Sequence, residues 1–549
     1  MKTSIRRMAR CACAAAFLAA LTACGGEDSG PAAPVTQATY TVGGTVTGLT
    51  GSGLVLQIAG IDLPVSSSGA FTFGKPLLSG TGYVVAVETQ PISPAEFCAV
   101  ANSSGFIGAA NVTNVLVTCE AVYTVGGTVS GLVGSGLVLQ LHSFDILDGP
   151  EYDGSPLQIN ADGAFTLDGV FPATPDPPEF VVVKQQPSSP TQPCVVENAQ
   201  VNIQSANDTS VAVACSEFSY VTNAADNTVS TYRVDATTGA LVAVGAPTAT
   251  GRSPYAVVGT PDKRFVYVSD EGDNEVSAFA VNIETGALTA VSGSPFAAGT
   301  NPRALTLVEG ATFYLYVANS GSDTLSAFAI DAVSGALIPL SPATYATGQS
   351  PSSVALDFDG PFLYVTNNGG SNDISAFVID GRTGSLTPVA GSPFAAGANP
   401  LGLAFGAGGK FLYTANPSGG SPSISGFTVD LSSGTLTPLS GSPFPAAVSN
   451  YIAADRLGTY LYVTTGAGVV GYGIDVTTGL LTSLPGFPVV SGANAYSVTL
   501  DPTSQFLYVA NNGSANVSGF RFDALTGALI PITGSPFAAG NLPDFVATF

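Results

Sequence analysis

Seven positions, about one repeat apart, carry most of the chemistry this chain offers. Each follows a recurrent proline or aligns with a residue that does: Asp544, Tyr255, Arg303, Ser352, Leu401, Tyr451 and Tyr496. Most of each repeat is interchangeable with the next, so a specific ligand has to use positions where the copies differ. Arginine offers five donors in a rigid fork that matches a carboxylate or phosphate. Tyrosine adds hydroxyls, and an acidic group can take up a proton. The acidic run Asp270, Glu271, Asp273 is expected on the same face. Arg303 could then polarise a carbonyl group while Asp270 or Glu271 activates water, although no spacing compels it. The structural alternative is that Arg303 only pairs with Asp544 or the acidic loop, with little effect on stability if exposed.

Other chemistries are excluded. The chain has one histidine, His142, and residues 217–549 contain neither His nor Cys. No Ser–His–Asp or Cys–His nucleophile can be built there, and His-based metal sites fail for the same reason. His142 aligns with Ala59 of an earlier copy and reads as a solvated strand-end residue. Asp145, Asp148, Glu151 and Asp153 cluster, but their spacing is not that of a calcium-binding loop; a solvated acidic loop is the better reading. No metal or cofactor is expected.

What positions the seven residues is a repeat. Gly239, Gly286, Gly335, Gly384, Gly434, Gly479 and Gly527 lie in "TGAL"-like tetrads, 47, 49, 49, 50, 45 and 48 residues apart. Each copy reads as four strands: in the fourth, Pro351–Phe358, Phe362–Asn367, Asp373–Asp380 and a last strand begun after Gly384. Seven such sheets predict an all-β, seven-bladed β-propeller over 217–549. The first copy starts at its second strand, Phe218–Asn223, and the last is followed by an extra inner strand, Leu542–Phe549. The C-terminal strand should therefore complete the first blade, which also removes a free sheet edge. Phe296, Phe394, Phe444 and Phe537, each after a proline, are expected to be wedges between blades.

Two smaller copies precede the propeller, at 40–120 and 121–216. "YTVGGTVTGLTGSGLVLQ" (Tyr40–Gln57) returns as Tyr123–Gln140, and short alternating runs between glycine turns predict two small β-sandwiches. They resemble the Ig-like repeats of bacterial surface lipoproteins. Cys98 and Cys119 are 21 residues apart, as are Cys194 and Cys215. One disulfide per module is expected, each worth roughly 2–4 kcal/mol.

Met1–Ala23 reads as a signal: four basic residues precede the apolar run Cys11–Leu21, too short for a stable span. "LTAC" (Leu21–Cys24) resembles the bacterial lipobox, which implies a lipid on Cys24. By resemblance to proteobacterial lipoproteins, Gly25 rather than Asp after it implies the outer membrane, and residues 24–39 make a tether of up to roughly 50 Å. Without the signal the chain keeps 11 basic against 38 acidic residues, a net charge of −27. Such a surface repels nucleic acid.

The phrases "FLYV", "VSAFAVNIETGALTAV" and "NPRALTL" resemble the seven-bladed lactonase family, which includes 6-phosphogluconolactonase and carboxymuconate cyclases. Tyr220–Asn223 and Tyr364–Asn367 spell the "YVTN" tetrad of microbial surface repeats. The resemblance implies a propeller and, in its enzyme branches, lactone hydrolysis. Those branches often place a His after the inner-strand proline, where this chain has Tyr255, Arg303, Ser352 or Leu401. That departure favours an envelope-anchored protein that binds a small molecule, glycan or protein, with a lactonase as the alternative. The binding candidates are Arg303, Asp544, Tyr255, Tyr451, Tyr496, Asp270 and Glu271.

Overall fold

The computed structural model describes residues 37–143, 152–171, 179–201, 207–310, 312–357, 360–418, 421–446 and 450–549. Cys24, and Asp145, Asp148 and Glu151 of the acidic loop, lie outside them. Every regular element among the described residues is a strand, and none is a helix able to cross a membrane. Contacts divide the chain into two compact units, residues 1–122 and 123–549.

The first unit holds one sandwich. One sheet pairs Gly69–Thr72, Val42–Thr47, Val112–Ala121 and Glu96–Ala101; the other pairs Ile61–Val65, Leu54–Ile58, Gly82–Thr89 and Ser104–Phe106. Alternation along Val42–Thr47 and Leu54–Ile58 sends Val42, Val46, Leu54, Leu56 and Ile58 into the shared core. The expected Cys98–Cys119 bond joins neighbouring strands. The second sandwich repeats the arrangement around Val125, Leu139 and Phe165, with the Cys194–Cys215 bond in place. It docks directly on the propeller. Lys263 Nζ donates to the carbonyls of Ser216 (2.9 Å) and Pro193 (3.3 Å), Gln505 donates to Thr191 O (3.1 Å), and Arg233 donates to Ser216 Oγ (2.9 Å).

Seven sheets make the propeller, and each blade locks to the next in the same way. The tyrosine of the "FLYV"-like strand donates to the carbonyl of the next blade's tetrad glycine. Tyr220 reaches Gly286, Tyr267 Gly335, Tyr316 Gly384, Tyr364 Gly434, Tyr413 Gly479 and Tyr462 Gly527. Tyr508 then reaches Gly239 across the closure, and all seven bonds measure 2.6–3.2 Å. The glycines are required twice over. Each has a positive φ of 68–77°, and a Cβ on any of them would lie within 3 Å of an aromatic ring of the preceding blade, such as Phe218 against Gly286.

The ring closes through the C-terminus. Pro543–Thr548 pairs antiparallel with Glu217–Asn223, Phe218 and Phe549 exchange two backbone bonds of 3.1 Å, and the Phe549 ring stacks on Tyr220 at 5.0 Å. The outer strand differs from the expectation. In six blades it is broken in two, as at Leu386–Pro388 and Phe394–Ala395, and both pieces pair with the third strand. A proline before the second piece cannot donate to a ladder, which explains the break. The Phe of that second piece packs into the core between adjacent blades, as wedges should: Phe296 between the second and third blades, Phe537 between the seventh and first.

Candidate functional site

The residues following the recurrent proline enter the inner strands at the channel mouth, and there the structure brings most of the expected set together. Tyr255, Tyr451 and Tyr496 come from three blades and meet at their hydroxyls: Tyr255 OH lies 2.5 Å from Tyr451 OH and 2.9 Å from Tyr496 OH. Their rings surround Phe545 at centroid distances of 4.8–6.5 Å. Tyr255 and Tyr451 are buried, and burial first of all pushes both phenols well above their usual range. The cluster is a neutral floor of hydroxyls.

Arg303 sits beside this floor, its guanidinium carbon 5.1 Å from the centre of the Tyr255 ring. Its Nε donates to Glu271 Oε1 at 3.0 Å. Its two terminal nitrogens have no hydrogen-bond partner among the described residues, and the side chain keeps 29 % of its surface. Glu271 therefore aims the fork and leaves its open edge for something else. Asp544 completes the group: Asn512 donates to its Oδ1 at 2.6 Å. Burial, with the nearby Glu271 charge adding to it, pushes this carboxyl to about 6 despite Asn512 and Arg303. A carboxyl poised there can accept a proton near neutral pH.

Ser352 does not join them. It is fully buried, its hydroxyl donating to Pro400 O at 2.9 Å. Asp270 does not join either. Its carboxyl turns into its own blade, where Ser277 donates to Oδ2 from its hydroxyl (2.6 Å) and its N–H (3.1 Å). Five other blades place Asn at this point, and all five share one contact, Nδ2 donating to a serine Oγ of the third strand at 2.9–3.0 Å, as Asn223 does to Ser230. Asp270 is thus a framework residue carrying an acid for an amide, and Oδ1 is left without a partner.

Burial pushes the Asp270 carboxyl up to about 7, against the hydrogen bonds of Ser277 and Gly251. The unfolded chain releases this proton near pH 4. Its contribution to stability is therefore full below about pH 4 and is lost as pH rises through about 7. Asp270→Asn should raise stability by about 2–4 kcal/mol at pH 8 and by progressively less toward pH 4. Urea melts of both proteins across that range check this; a variant no more stable at pH 8 would refute it.

Phe545 and Asn512 were not foreseen. Phe545 is one residue past the position expected to face the mouth, and a register shift in the Pro543–Thr548 pairing lets two successive residues serve the same side. Among the described residues the one cluster of potential metal-ligating side chains is Glu96 with Cys98 and Cys119 in the first sandwich, whose sulfurs are bonded to each other.

The seven-bladed β-propeller lactonase family model matches residues 188–301, 214–345 and 336–449. The propeller is lactonase-like. Solved structures agree on the fold of this lactonase-like propeller. A protein assigned as a 6-phosphogluconolactonase from Bacteroides fragilis is 23% identical with a TM-score of 0.53, covering 61% of this chain and 98% of its own. The counterpart from Bacteroides uniformis is 21% identical, with a TM-score of 0.53 and coverage of 61% and 99%. The periplasmic gluconolactonase of Pseudomonas aeruginosa is 18% identical, with a TM-score of 0.50 and coverage of 60% and 99%. No curated protein matches the sequence.

Proposed function

We propose that the lactonase-like propeller captures a small, hydroxyl-bearing anion at its channel mouth and serves as a binding protein held at the cell envelope. The observation that carries this is the open edge of Arg303. Glu271 fixes the guanidinium from one side, while its two terminal nitrogens are left to bind a carboxylate or phosphate in a forked geometry. The tyrosine hydroxyls beside it suit the hydroxyls of such a ligand. Calorimetric titration with a panel of sugar acids and sugar phosphates tests it; no binding below millimolar concentration would refute it.

One observation favours a second reading, hydrolysis of a sugar-derived lactone. Asp544, with its carboxyl near 6, shares the mouth with Arg303, a base beside a cation able to hold an oxyanion. Turnover of a lactone panel far above spontaneous hydrolysis, lost in Asp544→Asn, would establish this reading over simple binding.

The envelope location rests on the Leu21–Cys24 motif. Cys24→Ser should move the protein from the membrane fraction to the soluble one; retention of the variant in membranes would show that another element anchors it.

A further inference from the structure

A carboxylate and a phosphate both fit the open edge of Arg303, so its forked geometry does not choose between them. The charges around it do. Arg303 brings one positive charge to the channel mouth, and Glu271, 3.0 Å from its Nε, already offsets it. Asp544 adds a second carboxyl. Glu271 and Arg303 both act on it electrostatically, and it acts in turn on Tyr451 and Tyr496. The phenols of Tyr255 and Tyr451 are held neutral by burial. The mouth is therefore neutral at best before a ligand arrives, and it carries a net negative charge whenever Asp544 is ionised.

The rest of that face supplies no spare cation. Seven of the propeller's nine basic residues lie toward the opposite ends of the strands. The one besides Arg303 at the mouth end, Arg252, is tied to its neighbouring loop: its Nε donates to Asp273 Oδ1 at 2.6 Å and Nη2 to Gly272 O at 3.0 Å. Asp226, Glu275, Asp323 and Asp373 stand in or beside the loops of the same face. A phosphate monoester brings about −1.5 to −2 charge at pH 7 and a carboxylate only one. Like charges repel strongly in a partly buried site, where the dielectric is far below that of water.

We propose, on the anion-binding reading above, that the mouth selects hydroxyl-bearing monocarboxylates, the aldonic and uronic acid class, and rejects phosphate esters of similar size. The tyrosines provide for the hydroxyls. Their three phenolic hydrogens share two bonds within the cluster, at 2.5 and 2.9 Å, which leaves one to donate to a ligand oxygen. Asp544 sharpens the choice of charge. Around it stand Glu271, Arg303, Tyr451 and Tyr496, with Asn512 donating to it at 2.6 Å. Burial already raises its carboxyl to about 6, and a bound anion raises it further, so binding draws a proton onto it. One proton offsets a carboxylate but not a dianionic phosphate.

Calorimetric titration of the full-length protein with gluconate, glucose 6-phosphate and uncharged sorbitol tests it. At pH 7 gluconate is expected to bind at least about tenfold more tightly than glucose 6-phosphate, and sorbitol far more weakly than gluconate. At pH 5 the phosphate is a monoanion and Asp544 is protonated, so the gap between the two anions should narrow to about threefold or less. Asp544→Asn keeps an acceptor for Asn512 and removes the charge. It should tighten glucose 6-phosphate more than gluconate at pH 7. Glu271→Gln, which keeps an acceptor for Arg303, should shift the preference in the same direction and serves if the first variant does not fold. Equal or tighter binding of glucose 6-phosphate at pH 7 would overturn the selection and leave anion capture standing. So would a preference unchanged at pH 5 and in both variants. If neither anion binds, or sorbitol binds as well as gluconate, anion capture itself is refuted and the selection with it.

Discussion

A chain ending at Asn541 is expected to lose the propeller's cooperative unfolding transition altogether. The missing strand pairs with Glu217–Asn223, buries Val546 and stacks Phe549 on Tyr220. Losing that ladder and those side chains removes on the order of 5–10 kcal/mol, comparable with the whole net stability of a domain. It also uncovers the edge of the fully buried strand Glu217–Asn223, and such an edge aggregates. Circular dichroism melts and size-exclusion chromatography of the truncated protein check this. A monomer melting within a few degrees of the parent would mean that the ring holds without its closing strand.

Arg303→Ala is expected to weaken binding of the anionic ligand by roughly 30–1000-fold, the effect of losing a forked, charge-assisted contact of about 2–4 kcal/mol. The melting temperature should shift little, because the ion pair with Glu271 is partly exposed. Arg303→Lys should recover only a small part, since a point charge cannot reproduce the fork. Unchanged affinity in the alanine variant would place the ligand elsewhere. A large fall in melting temperature with modest loss of binding would make Arg303 a framework residue.

The ring of blades was legible because its cause is local and repeated. A tetrad glycine, a "FLYV"-like strand and a proline recur together, and the structure ties all three to one interblade contact. Closure could be read from the two ends, since one copy lacked an inner strand and another had one too many. The mouth was partly legible for the opposite reason. Arg303, Asp544 and the three tyrosines stand out because they break the repeat, and the structure gathers them.

Asp270 also breaks the repeat, yet it lies at a framework position. Sequence shows that an acid replaced an amide but not which way the last residue of a strand turns. Phe545 was hidden by a register shift, which alternation along a strand cannot reveal. The contact between the second sandwich and the propeller was illegible because it is made mostly by backbone carbonyls, those of Thr191, Pro193 and Ser216. Carbonyls leave no trace in residue types.

The interblade lock has a consequence for assembly. Each blade offers a tyrosine donor on one flank and a glycine carbonyl on the other, a head-to-tail interface that either closes into a ring or continues indefinitely. The count stops at seven because the terminal strand finds the first blade of its own chain. Nothing covalent reserves it for that blade. Intramolecular docking wins by effective concentration, so refolding at high protein concentration invites strand exchange between chains. Domain-swapped dimers, each completing the other's ring, are the natural misassembly product of this fold.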